Sequence, residues 1–131
     1  MQDIHTPFEC DDGTLTEESA MYELGINFAE ASTKLGRPLT VAPTYKDLMA
    51  KAGFVDIVET KVKWPINTWP RDKHYKELGA WYVANLDEGL EGLTLALFTR
   101  GLGWTPEETL LFCSRARKDL KDTKIHAYLP W

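Results

Sequence analysis

The 131 residues contain no glycine-rich turn of the kind that follows a strand, opens a helix and cradles a nucleotide cofactor. Gly101-Leu102-Gly103 has a G-x-G look, but it lacks the third glycine and follows an apolar stretch of helical character. Cys10 and Cys113 have neither metal nor redox spacing, and two cysteines make no disulfide framework. The three histidines lack the close spacing of a metal site, so no metal is expected. No Gly-x-Ser-x-Gly turn or Cys–His arrangement supports a covalent nucleophile. The longest apolar run, 93–98, is far too short to span a bilayer, and no signal peptide is recognisable. The expected location is therefore cytoplasmic, with no membrane partner. Basic charge is also scarce. At a net charge of -5 with scattered Lys and Arg, the chain has no surface for phosphate neutralisation, so no nucleic-acid partner is expected. Its densest basic group, Arg115-Ala116-Arg117-Lys118, reads as a solvated helix end.

Apolar residues, by contrast, are plentiful. The chain is one domain by length, and a chain of this size buries roughly two-thirds of its unfolded surface. It is 44% hydrophobic, with five each of Trp, Tyr and Phe. Such an aromatic load suits an apolar binding cavity or a self-association face; filling the core is the plainer use.

The pattern predicts a mixed order of elements. Met1-Gln2-Asp3-Ile4 begins as though inside a strand, and Asp11-Asp12-Gly13 is a turn whose paired carboxylates are explained by that turn. Thr14 and Glu17 have capping-box spacing for a helix that runs to Leu35 and stops at Gly36, with Met21, Leu24, Phe28, Ala31 and Leu35 on its buried face. A short helix follows Thr44, with Tyr45, Leu48, Met49 and Ala52 on one side, and ends at Gly53. Residues 54–64 read as a strand with Phe54, Val58, Val62 and Trp64 on one face. Residues 73–102 read as a helix with a stripe of Leu78, Trp81, Tyr82, Asn85 and Leu86, kinked or split at Gly89 and Gly92, since each glycine costs about 1 kcal/mol against alanine. Thr105-Pro106-Glu107-Glu108 opens a last helix with Leu110, Leu111, Cys113 and Ala116 inward. Residues 125–129 form a final short strand.

Several blocks resemble fungal LaeA-like class I methyltransferases, in that family's order. They are Met1-Gln2-Asp3-Ile4, Asp11-Asp12-Gly13-Thr14-Leu15, Leu35-Gly36-Arg37-Pro38, Ala52-Gly53-Phe54-Val55-Asp56 and Glu88-Gly89-Leu90-Glu91-Gly92. Thr99-Arg100-Gly101-Leu102-Gly103-Trp104 and Lys124-Ile125-His126-Ala127-Tyr128 continue the match. The resemblance implies an α/β, Rossmann-like sheet whose last two strands, here 54–64 and 124–131, are an antiparallel pair. It also implies that this is the C-terminal half of such an enzyme. Nothing here matches the first four strands that bind S-adenosylmethionine, so no cofactor is expected. The architecture expected on these grounds is a truncated methyltransferase fold over residues 1–131. It has a partial sheet and a helical insertion at 65–103, and homodimerisation covers the exposed sheet edge.

By the same resemblance the retained half supplies an acceptor pocket. His74, Tyr82 and His5 are the candidate catalytic groups. Phe8, Tyr22, Trp64, Trp69, Tyr75, Trp81 and Asn85 are the candidate substrate contacts, their rings holding an apolar body and their polar atoms a carbonyl. The plainer reading makes His5 and His74 surface residues and Trp81, Tyr82 and Asn85 core. The function expected is cofactor-independent chemistry of natural-product biosynthesis on a small apolar metabolite, most of all a cyclase or pericyclase of the Diels–Alder type, or else a dehydratase or double-bond isomerase with His74 or His5 as base. Orientation supplies most of the rate in such cyclisations. The alternative is a non-catalytic pseudoenzyme or binding subunit that pairs with a full-length methyltransferase.

Overall fold

The computed structural model describes residues 2–131. Its first helix, α1 (Ala20–Lys34), starts several residues later than Thr14 and Glu17 predict. Thr14 cannot cap it, because its hydroxyl donates to Asp12 (2.8 Å) and accepts from the His126 amide (2.8 Å). Ser19 is the cap instead, accepting from the Met21 amide at 3.1 Å. Asp119, a distant residue, accepts from the Ala20 amide (2.7 Å) and the Ser19 hydroxyl (3.0 Å), so a second orphan donor is satisfied across the fold. Met21, Leu24 and Ala31 are buried as predicted, but Leu35 is exposed. Gly36, at φ 74°, ends the helix. A 3-10 turn, Ala42–Thr44, leads into α2 (Tyr45–Lys51), a short helix with no fully buried residue.

The predicted strand over 54–64 forms only at its end, as β1 (Lys63–Pro65), antiparallel to β2 (Tyr128–Pro130). The register explains why. Lys63 pairs with Pro130, and one step out Val62 and Trp131 exchange both backbone bonds (2.6 and 2.9 Å). Residues 54–61 then have no residue of this chain opposite them. Val55 and Val58 accordingly stand 83% and 87% exposed. On the other side of β2, the His5 amide donates to Pro130 (2.9 Å), and Glu9 and Tyr128 bond reciprocally (both 2.9 Å). Residues 2–4, expected as strand, have no regular structure, and Met1 lies outside the described residues. β2 is therefore the middle of three extended segments.

The predicted break at Gly89 and Gly92 is absent: α3 (Lys73–Gly101) runs unbroken for 29 residues. Leu86, Leu90, Thr94 and Phe98 recur every four residues on its buried side, against α1 and α4 (Pro106–Leu120). Burying four such side chains outweighs the propensity cost of two glycines. The predicted stripe is also displaced, because Trp81 and Asn85 face solvent. α4 opens on the expected capping box, Thr105 Oγ1 with the Glu108 amide at 3.1 Å and Glu108 with the Thr105 amide at 2.7 Å. Its core positions are Thr109, Phe112, Cys113, Ala116 and Leu120. Leu110 and Leu111, expected inward, are exposed. Among the described residues no helix is long and apolar enough to cross a membrane.

Candidate functional site

A groove of about 810 Å³ is bounded by residues 2–9, α2, residues 57–63 and the end of β2. Met49, Ile57, Val58, Val62, Pro130 and Trp131 supply apolar lining, while His5, Glu9, Lys63 and Tyr128 supply polar groups. His5 Nδ1 is closed off from solvent and has no hydrogen-bond partner, an uncompensated donor or acceptor at the edge of an apolar space.

The polar end is electrostatically ordered. The Tyr128 hydroxyl donates to Asp11 (2.8 Å) and lies 3.2 Å from Glu9, and the Lys63 ammonium stands 4.7 Å from its ring centroid while pairing with Asp11. Burial, reinforced by the Asp11 contact, pushes the Tyr128 phenol up to about 12. Hydrogen bonds from Lys63 and Tyr128 lower Asp11, and the Asp11 contact raises Lys63. At neutral pH this end thus holds a neutral phenol, a carboxylate and an ammonium.

The residues singled out from sequence do not converge. Trp64 packs beside Tyr82 (centroids 6.3 Å) and Trp131 (4.8 Å), and its indole donates to the Leu78 carbonyl at 3.4 Å. Burial raises the Tyr82 phenol, and this residue acts as packing beneath β1. Trp69 donates to the Ala127 carbonyl (2.9 Å) and stacks on His126. Phe8 is core, packed on Gly25, and Tyr22 is half-buried on α1. His74 and Tyr75 sit edge to face (5.7 Å) on the exposed first turn of α3, and Trp81, 67% exposed, and Asn85 continue that outer surface. Of the three catalytic candidates only His5 lines the groove, and no lining residue comes from 65–103.

Sequence reasoning missed Glu9, Lys63 and Tyr128, and assigned Asp11 and Asp12 to the turn alone. The turn is there, with Gly13 at φ 77°, yet both carboxylates also reach β2 or its approach. The available signal was the period-two alternation of His126 and Tyr128, which puts both on one face.

Asp12 makes this corner acid-sensitive. Hydrogen bonds from His126, then Cys10 and Thr14, hold its carboxyl well below the usual range. Because the folded pKa is depressed, the contact's contribution is complete above the unfolded value of about 4 and fades as pH falls toward the lower folded one. In urea titrations at pH 6 and pH 3, Asp12→Asn is expected to lose less of its midpoint on acidification than the wild type. An equal loss would show that Asp12 is not the sensor.

No family model matches the chain, and no solved structure does. Curated proteins do match. The chain is 34% identical over 130 residues to a probable methyltransferase, tdiE, of Emericella nidulans, covering 99% of this chain and 41% of that protein. It is 39% identical over 120 residues to the secondary metabolism regulator LAE1 of Cochliobolus heterostrophus, covering 91% and 39%. It is 29% identical over 119 residues to the protein-methionine methyltransferase laeA of Chaetomium globosum, covering 90% and 37%. The chain thus spans about two-fifths of the length of these relatives, whose family implies a Rossmann-like fold for the mixed α/β arrangement seen here. Along nearly its whole length, this chain belongs to the LaeA-like methyltransferases.

Proposed function

We propose that this chain forms the small-molecule side of a LaeA-like methyltransferase scaffold. It holds an apolar metabolite in the groove between residues 2–9, α2 and β1, and these 131 residues transfer no methyl group by themselves. The observation that carries this reading is the groove itself, apolar along α2 and 57–62 and polar at Glu9, Lys63 and Tyr128. Methyl transfer additionally needs an anion-binding helix start for the donor, and no glycine-rich turn of that kind occurs in the sequence. The relatives' names join methyl transfer to secondary metabolism, which supports a secondary metabolite as the ligand class. The reading includes a homodimer, in which a second copy covers exposed Val55 and Val58.

One observation favours a catalytic version. The Lys63 ammonium, exposed at the polar end of the groove, could polarise a carbonyl while the groove folds a polyene, as a cofactor-free cyclisation of the Diels–Alder type requires. Without that chemistry the same groove makes the chain a binding subunit.

Calorimetric titration of the purified chain with S-adenosylmethionine is expected to give no heat beyond dilution. Nile red, a neutral apolar dye, is expected to bind with saturation, and Ile57→Lys, at a half-buried lining position, to weaken it roughly fivefold, about 1 kcal/mol for placing a charge in an apolar wall. Binding of the methyl donor, or dye affinity unchanged in Ile57→Lys, would overturn the reading.

A further inference from the structure

The three extended segments converge at one end. Glu9 closes the first segment opposite Tyr128, Pro65 closes β1 opposite the same residue, and β2 begins there. Just beyond this end, Asp12, Trp69 and His126 meet. In open α/β sheets ligands bind outside the carboxyl ends of strands, and the first segment and β1 both point their carboxyl ends here.

The geometry is that of an oriented base. His126 Nδ1 lies 2.6 Å from Asp12 Oδ2. Asp12 Oδ1 accepts from the Thr14 hydroxyl (2.8 Å), the Thr14 amide (3.2 Å) and the Cys10 thiol (3.1 Å), which fixes the carboxylate. A carboxylate only accepts, so the imidazole proton sits on Nδ1 and the lone pair on Nε2. Nε2 has no protein partner among the described residues, and the side chain is 37% exposed. Trp69 stacks on the ring at 5.1 Å and 31°, and is itself held through the Ala127 carbonyl and, by its amide, Asn67 Oδ1 (2.9 Å). Asn67 is buried and donates to the Asp122 carbonyl at 3.1 Å. Tying down a loop does not require a free Nε2 or a braced carboxylate; the main chain is already joined by the His126 amide to Thr14.

We propose that His126, oriented by Asp12 and backed by Trp69, is a proton-accepting site for a planar hydroxyl compound, a phenol or enol. The ligand stacks near Trp69 and hydrogen-bonds to Nε2. On ionisation its O–H bond breaks, an N–H bond forms at Nε2, the ligand keeps the electron pair as an oxyanion, and the imidazolium charge faces Asp12. Asp12 is a positioning residue; Asp11, Tyr128 and Lys63 are the neighbouring charged or titratable groups. The site lies outside the groove, and the proposal goes beyond the groove reading by adding a second site, for hydroxylated aromatics or enols.

The test is NMR of the histidine-labelled chain titrated with 4-nitrophenol, whose phenolate is followed by absorbance. The His126 ring signals are expected to shift saturably, and the ionised fraction of the bound phenol to rise at fixed pH. His126→Gln should abolish that rise, Asp12→Asn should cut it about tenfold with smaller loss of affinity, and Trp69→Phe should retain it. Saturating Nile red, which occupies the groove, should leave the phenol response unchanged. An unmoved His126 signal while Nile red still binds would overturn this site and leave the groove reading standing. A rise in ionisation undiminished in Asp12→Asn would remove Asp12 from its role. The wild-type signal is read directly, so the test holds even where a variant fails to fold.

Discussion

Phe98→Ala is expected to cost about 3–5 kcal/mol, the usual range for emptying an aromatic core position. Phe98 is fully buried where three helices meet. Its ring contacts Phe28 on α1 (5.7 Å), Phe112 on α4 (5.8 Å) and Trp104 in the turn between α3 and α4 (5.1 Å). Its carbonyl also accepts from the Leu102 amide (2.9 Å) and the Trp104 amide (3.3 Å), so the ring and the helix end are set together. Collapse cannot readily fill the gap, because the facing rings are rigid and two of them, Trp104 and Phe112, already pack edge-on at 86°. Single domains are stable by about 5–15 kcal/mol in total, so this one change removes a large share. Urea unfolding followed by far-UV circular dichroism measures it. Leu111→Ala, at a position 70% exposed, is the control, expected within about 0.5 kcal/mol of wild type. Similar costs for the two would mean that the three-helix core is not where the stability lies.

What is legible in the sequence is what neighbours in the chain decide. The start of α4 is readable because every participant is local: Thr105, Pro106 and Glu108 lie within one turn. The stops at Gly36 and Gly53 are readable for the same reason, both at positive φ. Local spacing misplaces the start of α1 because Thr14 is claimed by Asp12 and His126, and a partner 112 residues away leaves no mark on that spacing. Propensity breaks α3 because it counts the glycines at 89 and 92 but not the tertiary burial of Leu90 and Thr94 beside them. The strand at 54–64 has the right alternation, yet a strand is completed by its neighbour, and only 62–65 meet one. The site is least legible. Its groove joins four segments from the start, middle and end of the sequence, whereas aromatic content points to α3, where Trp81 and Tyr75 are surface. The family resemblance, carried by ordered blocks rather than by any site, is the part that the relatives bear out.

Gly79→Ala reverses the ordinary helix rule, and by a large margin. Alanine inside a helix normally gains about 1 kcal/mol over glycine. At Gly79, however, a Cβ would overlap the Asn67 carbonyl oxygen and sit 2.5 Å from its carbon, both backbone atoms that no rotamer change can move. The close approach lets α3 lie directly on the 66–69 loop, whose Asn67 is fixed to the Asp122 and Ile125 carbonyls. Relief requires α3 and that loop to separate, a net cost of about 3 kcal/mol at the upper end of overpacking penalties. For a chain of this size that corresponds to a melting temperature lower by about 10 °C. Trp69 follows Asn67 in the same loop, so its stacking on His126 should loosen as well, changing its fluorescence before global unfolding. Gly92→Ala, in the same helix with open space around its Cβ position, is expected to raise the melting temperature by a few degrees. Opposite signs from one substitution type in one helix are therefore the expected result. A stabilised Gly79→Ala would show that α3 does not rest against the Asn67 backbone at all.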